Sequence, residues 1–307
     1  MQRKTRPACR LLLGVALTLS YGCAALERAA VNRVGDGLSS GGTVFTGDAD
    51  PELVLEALPF GLKTYESLLA MTPRHRKLLL ATASGFAAYG FLLTQQQALD
   101  MRLDYAQRQR SDVRVSRLYL RARDYALRGL EVAHPNFTVL FGTNSTRALA
   151  GVRKADVPYL YWAGVSWAGA ISTAKDDPEL IAQLPLAAAL MARALELDER
   201  FDAGAIHEFF VSYEGGRPGG DADAARAHYA RACELDGGNR ASVHLALAES
   251  ISVQQQNVTE FRALLQRALA VDPNGVVEWR VVNTHAHRRA QWLATHTSDL
   301  FIDVQEN

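Results

Sequence analysis

His207 and Glu208 stand side by side, and that pairing is the start of a metalloprotease motif. The motif needs a second histidine three residues past the glutamate, so that two imidazoles one helical turn apart share a zinc ion. Val211 occupies that place. His285 and His287 are two apart, which on a helix points them to different faces. These histidines read as hydrogen-bonding groups, and no metal is expected. Gly215-Gly216-Arg217-Pro218-Gly219-Gly220 lacks the Lys-Ser/Thr pair that cradles phosphate, so it reads as a flexible loop between helices. No G-x-S-x-G elbow, P-loop or G-x-G-x-x-G is present. Asp176-Asp177 precede Pro178, where they suit the N-terminal dipole of a helix. Neither an enzyme nor a cofactor is expected from these patterns.

The covalent chemistry to expect is at Cys23. Arg3, Lys4, Arg6 and Arg10 form a basic start, residues 11–20 an apolar run, and Tyr21-Gly22 leads into the cysteine. These are the marks of a secretory signal. The run is too short for a retained spanning helix, which needs roughly twenty apolar residues. A cysteine at the cut resembles a bacterial lipoprotein lipobox, in which the thiol becomes a thioether to diacylglycerol and the new amino terminus is acylated. Such boxes usually carry Leu three before the cysteine; here Ser20 has that place and Leu19 the one before it. Residues 1–22 thus read as a lipoprotein signal peptide, 23–49 as anchor and flexible tether, and 50–307 as the folded domain. The expected location is lipid-anchored and periplasm-facing. Ala24 is not the aspartate of inner-membrane retention, which favours the outer membrane.

The chain has 33 Lys and Arg against 33 Asp and Glu, so loss of four basic residues leaves a mature charge of about −4. Nothing in that balance suits nucleic acid, which wants a basic face. Cys9 leaves with the signal and Cys23 is lipidated, so Cys233 is the one free thiol and no disulfide framework is expected. Core packing must hold the fold, and a chain of 48% hydrophobic residues can supply it.

The elements that position everything else are helices. Asp50-Pro51-Glu52 is a start signal, with an N-cap aspartate, proline in the first turn and then an acid. Further helices are expected over 74–94, 99–109, 112–133, 144–150, 157–175, 178–197, 201–214, 221–236, 240–255, 257–272 and 276–295. Alternating β-branched runs are missing, and 137–141 reads as a connector. The expected fold is all-α. Arg193-Ala194-Leu195-Glu196-Leu197-Asp198 recurs as Arg231-Ala232-Cys233-Glu234-Leu235-Asp236 and again as Arg267-Ala268-Leu269-Ala270-Val271-Asp272-Pro273. The spacings, 38 and 36 residues, are near the 34 of tetratricopeptide repeats. An irregular tetratricopeptide-like solenoid of about eleven or twelve helices follows. Residues 157–174 carry no charge but hold Tyr159, Tyr161, Trp162 and Trp167. Tight flanking by Asp156 and Lys175 favours a central buried helix over a membrane span, its aromatics packing the core or lining a ligand cavity.

An ordered series of short signatures runs along the chain. It includes Tyr161-Trp162 to Trp167, Lys175-Asp176-Asp177-Pro178, the 193–198 ending, Gly204-Ala205-Ile206-His207-Glu208-Phe209, Ser212-Tyr213-Glu214, Asn283, Arg288-Arg289-Ala290 and Trp292-Leu293. Together these resemble the TatT component family of TRAP transporter-associated lipoproteins. The resemblance implies a homotrimer that works beside the substrate-binding P subunit of a tripartite ATP-independent periplasmic transporter. It also implies a small hydrophobic or organic-acid ligand in an internal pore, with Tyr159, Trp162, Trp167, His207, Phe209 and Tyr213 as candidate ligand-binding residues. The alternative is a tetratricopeptide scaffold lipoprotein for envelope protein assembly, which would present an open groove lined with polar side chains.

Overall fold

The structure, a computed structural model, describes residues 33, 35–37, 42–100 and 104–302; Cys23 and its lipidation lie outside them. The described residues form fourteen α-helices and no strand. In order they are α1 (Gly42–Thr46), α2 (Pro51–Met71), α3 (Arg76–Leu99), α4 (Tyr105–Ala133), α5 (Phe137–Thr143), α6 (Ser145–Ala150) and α7 (Val157–Ser172). Then follow α8 (Pro178–Ile181), α9 (Leu184–Leu197), α10 (Ala205–Gly216), α11 (Ala222–Asp236), α12 (Ala241–Leu247), α13 (Val258–Ala270) and α14 (Arg280–Thr295).

Side-chain caps start many of these helices. Asp50 accepts from the Leu53 N–H at 3.0 Å with Pro51 in the first turn, as the sequence signal implies. Asp104 and Gln107 form a reciprocal capping box at the head of α4. From there α4 runs unbroken for 29 residues, where two helices were expected. Contacts with α3 hold the continuous form: Gln97 donates to Ser111, and Arg114 donates to the Tyr89 hydroxyl at 2.8 Å. The expected helix 178–197 instead breaks after Ile181, because Pro185 in the first turn of α9 cannot continue a preceding helix. Residues 137–141 are helical too, in α5, with Phe137 and Phe141 buried and stacked 5.5 Å apart.

The repeat endings close α9, α11 and α13, and their small residues Ala194, Ala232 and Ala268 are all buried. Side chains this small let adjacent helices approach closely. Four apolar clusters follow the chain, the smallest being Leu69 of α2 with Leu78 and Leu79 of α3. One joins α4–α7 to α9 and α10 around Leu130, Leu160, Leu190, Met191 and Ile206. A second unites α10 to α14 around Val211, Ile251, Phe261 and Leu293. In the third, Val281 of α14 packs with Val54, Leu58 and Leu62 of α2 and Phe86 of α3, so the last helix returns to the first ones. Each fully buried leucine among them contributes roughly 1.5–3 kcal/mol.

α7 is the central helix that its composition implied. Gly129 of α4 admits the Tyr159 ring, and Gly164 admits Met191 of α9. A Cβ at Gly129 would collide with the ring carbons of Tyr159, whereas one at Gly142 in α5 would meet nothing within 4 Å. Gly129→Ala is therefore expected to lower stability by about 1–3 kcal/mol despite the better helix propensity of alanine. Gly142→Ala is expected to leave stability unchanged or raise it. Urea unfolding of the two variants checks this, and equal midpoints would show that α4 and α7 are not in close contact.

Candidate functional site: an apolar cavity with one charged end

A cavity of about 1150 Å³ lies between α2, α3, α7, α10 and α14. Its existence follows from residue size at helical spacing. α3 turns Ala81, Ser84, Gly85 and Ala88 toward it, a stripe at i, i+3, i+4 and i+7 with no large side chain to fill the space. α7 contributes Tyr161, Val165, Ala168 and Ser172 at the same kind of spacing. α10 adds Phe209, Ser212 and Tyr213, and Val281 and Val282 of α14 close the remaining side. The lining is predominantly apolar and aromatic, as small-molecule sites are.

Three of the six candidate ligand residues line this space: Trp162, Phe209 and Tyr213. The other three are on different faces and are engaged elsewhere. Tyr159 lies on Gly129 with the Arg76 guanidinium 4.5 Å above its ring. Trp167 donates its indole N–H to Gln183 at 3.0 Å and packs beneath Arg123. His207 shares a short contact with His228, Nδ1 to Nδ1 at 2.8 Å, while its Nε2 is 3.3 Å from Glu199. The ring nitrogens of the two histidines face each other, so only one proton fits between them. Among the described residues no group of three or more His, Cys, Asp or Glu could hold a metal ion.

The charged end of the cavity was not legible as a unit. It consists of Asp202, Glu208, Arg240 and Glu278, with the rings of Tyr161, Phe201 and Trp279. Asp202 and Ala203 have φ of 41° and 48°, and Gly204 follows at 91°. Two non-glycine residues in the left-handed region cost of order 1–3 kcal/mol each and persist only where surroundings impose them. Arg240 is what imposes them here. Its guanidinium donates to the Asp202 carbonyl at 2.9 Å, sits 3.1 Å from the Asp202 carboxylate and 3.6 Å from Glu208, and covers the Trp279 ring at 4.4 Å. Arg240 is itself held by Asn283, which accepts from the Ala241 N–H and donates to the Asn239 carbonyl, both at 2.9 Å. Of these groups Tyr161, Glu208 and Asn283 belonged to the signature series, whereas Asp202, Arg240, Glu278, Phe201 and Trp279 did not; Gly204, also in the series, was the sole sequence trace of the strained turn.

Comparison with known proteins places the chain. A family model, the TRAP transporter T-component, matches residues 47–301. The chain belongs to this family. An uncharacterised protein of Treponema pallidum (strain Nichols) is 30% identical over 268 residues, 85% of this chain and 83% of its own. TRAP T-components are transport accessories, and membership gives the chain an accessory role in TRAP transport. The T-component match takes in every residue that lines the cavity except Phe45 and Thr46.

Buried histidines make the fold acid-sensitive. Burial lowers His207 and His228 below the usual 6.5, the Glu199 carboxylate opposing it at His207 and the neighbouring imidazole adding to it at His228. Burial takes His244 and His285 down to about 4, with Arg267 and Arg288 adding to it. Below pH 6.5 the unfolded chain binds protons that the folded chain refuses, so stability falls as pH drops from 6.5 to about 4. Asp236 runs the other way: burial raises it to about 6, and its contribution is lost as pH rises through that value. The histidines outnumber it, so a net loss toward acid is expected. Replacing His285, whose ring nitrogens have no partner and whose ring meets Phe91, by phenylalanine should flatten the stability profile in that window. Thermal midpoints from pH 7 to 4 measure this, and parallel profiles would mean that His285 is not buried neutral.

Proposed function

We propose that the protein is a non-enzymatic, periplasm-facing accessory of a TRAP transport system, anchored by lipid on Cys23 and working as a homotrimer. It docks on the substrate-binding P subunit and holds a small ligand with an apolar body in the cavity between α2, α3, α7, α10 and α14. The observation that carries the ligand half is the cavity itself. Its volume of about 1150 Å³ accommodates any ligand of the size that small-molecule sites take, about 300–1,000 Å³ of pocket. The family match carries the transport half. A scaffold for envelope assembly would expose a concave groove lined with polar groups. The apolar lining between packed helices speaks against that reading.

Cross-linking in the native host, followed by purification and mass spectrometry, is expected to recover a TRAP-type substrate-binding protein. Recovery of envelope-assembly proteins without it would replace the transport reading by the scaffold one. For the cavity, a neutral apolar dye, N-phenyl-1-naphthylamine, should bind saturably with a rise in fluorescence. Ala168 is half-buried on the lining, and Ala168→Phe would drive a ring into the space. It should weaken dye binding about tenfold or more, with the thermal midpoint retained. Unchanged binding in that variant would place the dye elsewhere.

A further inference from the structure

The charges on the cavity wall do not balance. Five charged residues line it: Lys77, Asp202, Glu208, Arg240 and Glu278. Lys77 is paired with Asp36 at 3.0 Å and its side chain is 69% exposed, so it is not a free cation for a ligand. Arg240 is consumed as well. Its terminal nitrogens are taken by Asp202 and Glu208, its face by Trp279, and its Nε is sealed off without a partner, the whole side chain 5% exposed. One engaged guanidinium is thus set against three carboxylates at the same end, Glu208 half-buried and Asp202 and Glu278 open to solvent. Glu278 makes no hydrogen bond or ion pair with any described residue, and Glu208 has only the 3.6 Å approach of Arg240.

Two further observations point to a ligand at this end. Tyr161 is half-buried on the cavity wall, and its hydroxyl makes no hydrogen bond to any described residue. A hydroxyl that opens onto the cavity without a protein partner is free to accept from a ligand there. Burial pushes its ionisation up, and the field of Asp202 and Glu208 pushes it further up than Arg240 pulls it down. The net field there is negative. The second observation is the ring arrangement: Phe201 and Trp162 each lie 5.1 Å from Tyr161, while Trp279, with Arg240 over one face, donates its indole N–H to Asp202 at 3.4 Å. Aromatic faces beside carboxylates suit a cation, which gains from the ring quadrupoles and from the unbalanced charge together. An organic acid in the same place would meet like charge, with the Arg240 guanidinium already used.

We infer that the cavity takes an amphiphile with a positively charged head, an alkyl or aryl amine, its ammonium seated among Asp202, Glu208 and Glu278 beneath Tyr161. This rests on the reading of the cavity as a ligand site, and it decides against the organic-acid class for this chain. The apolar body lies along the small-residue stripe of α3, and the Tyr161 hydroxyl accepts from the ammonium.

The test uses the purified full-length protein and three probes with one chain: n-octylammonium, n-octanol and n-octanoate. Each is measured by calorimetry and by displacement of N-phenyl-1-naphthylamine, below its micelle concentration. The expected order is ammonium, then alcohol, then carboxylate, with about tenfold or more between the first and the last. Glu208→Gln should erase most of the ammonium preference and leave octanol unchanged. Because Glu208 also neighbours Arg240, Glu278→Gln serves as the variant without a packing role, and it should narrow the same preference. Octanoate binding as tightly as octylammonium would overturn the head-group assignment while the cavity reading stood. Failure of all three probes and of the dye would overturn both.

Discussion

Everything at the site depends on the return of the last helix to the first ones. Val281 of α14 enters the apolar cluster of Val54, Leu58, Leu62 and Phe86, and Arg280 donates to the Gly47 carbonyl at 2.8 Å. These residues are 233 positions apart in the latter pair. Without that closure the stripe of small residues on α3 would face solvent, and the cavity would be a groove. Apolar packing carries the closure. The Arg288–Glu52 pair across the same seam is 39% and 62% exposed, and ion pairs so open to water contribute little.

The cavity survives because large residues space its walls. Tyr119 is wedged between Gly90 of α3 and Gly169 of α7, each glycine admitting the ring where a Cβ would press on it. Met191 does the same against Gly164. Glycines thus set the distances between helices, while alanines and serines leave the space between them empty. Close-packed interiors tolerate few voids larger than a water molecule, so a pocket of about 1150 Å³, partly open to solvent, needs its walls held apart.

At the charged end, strain and charge are coupled. The left-handed turn at Asp202 and Ala203 would relax without the guanidinium that grips its carbonyl. The same grip takes Arg240 out of use for anything else. Asp236 lies near Arg240 without contact, keeps one carboxylate oxygen unpartnered, and burial raises it to about 6. A single buried cation therefore organises the turn, stacks on Trp279 and leaves the acids in excess.

Local pattern determined a good deal by itself. Caps such as Asp50, the absence of alternating strands, the repeat endings with Ala194, Ala232 and Ala268, and the uncharged central helix were all legible, because each is a property of one turn or one helical period. Trp162, Phe209 and Tyr213 were legible as candidates through their aromatic character, but so were Tyr159 and Trp167, which pack away from the cavity under Arg76 and Arg123. Periodicity says which residues share a face of a helix; it does not say whether that face meets another helix or a void. Only the tertiary structure decided that α4 runs unbroken past Ser111, since a side chain from α3 holds it there. It alone brought Phe201, Arg240 and Trp279 to Tyr161, because that meeting depends on distant helices closing on one another rather than on any spacing along the chain.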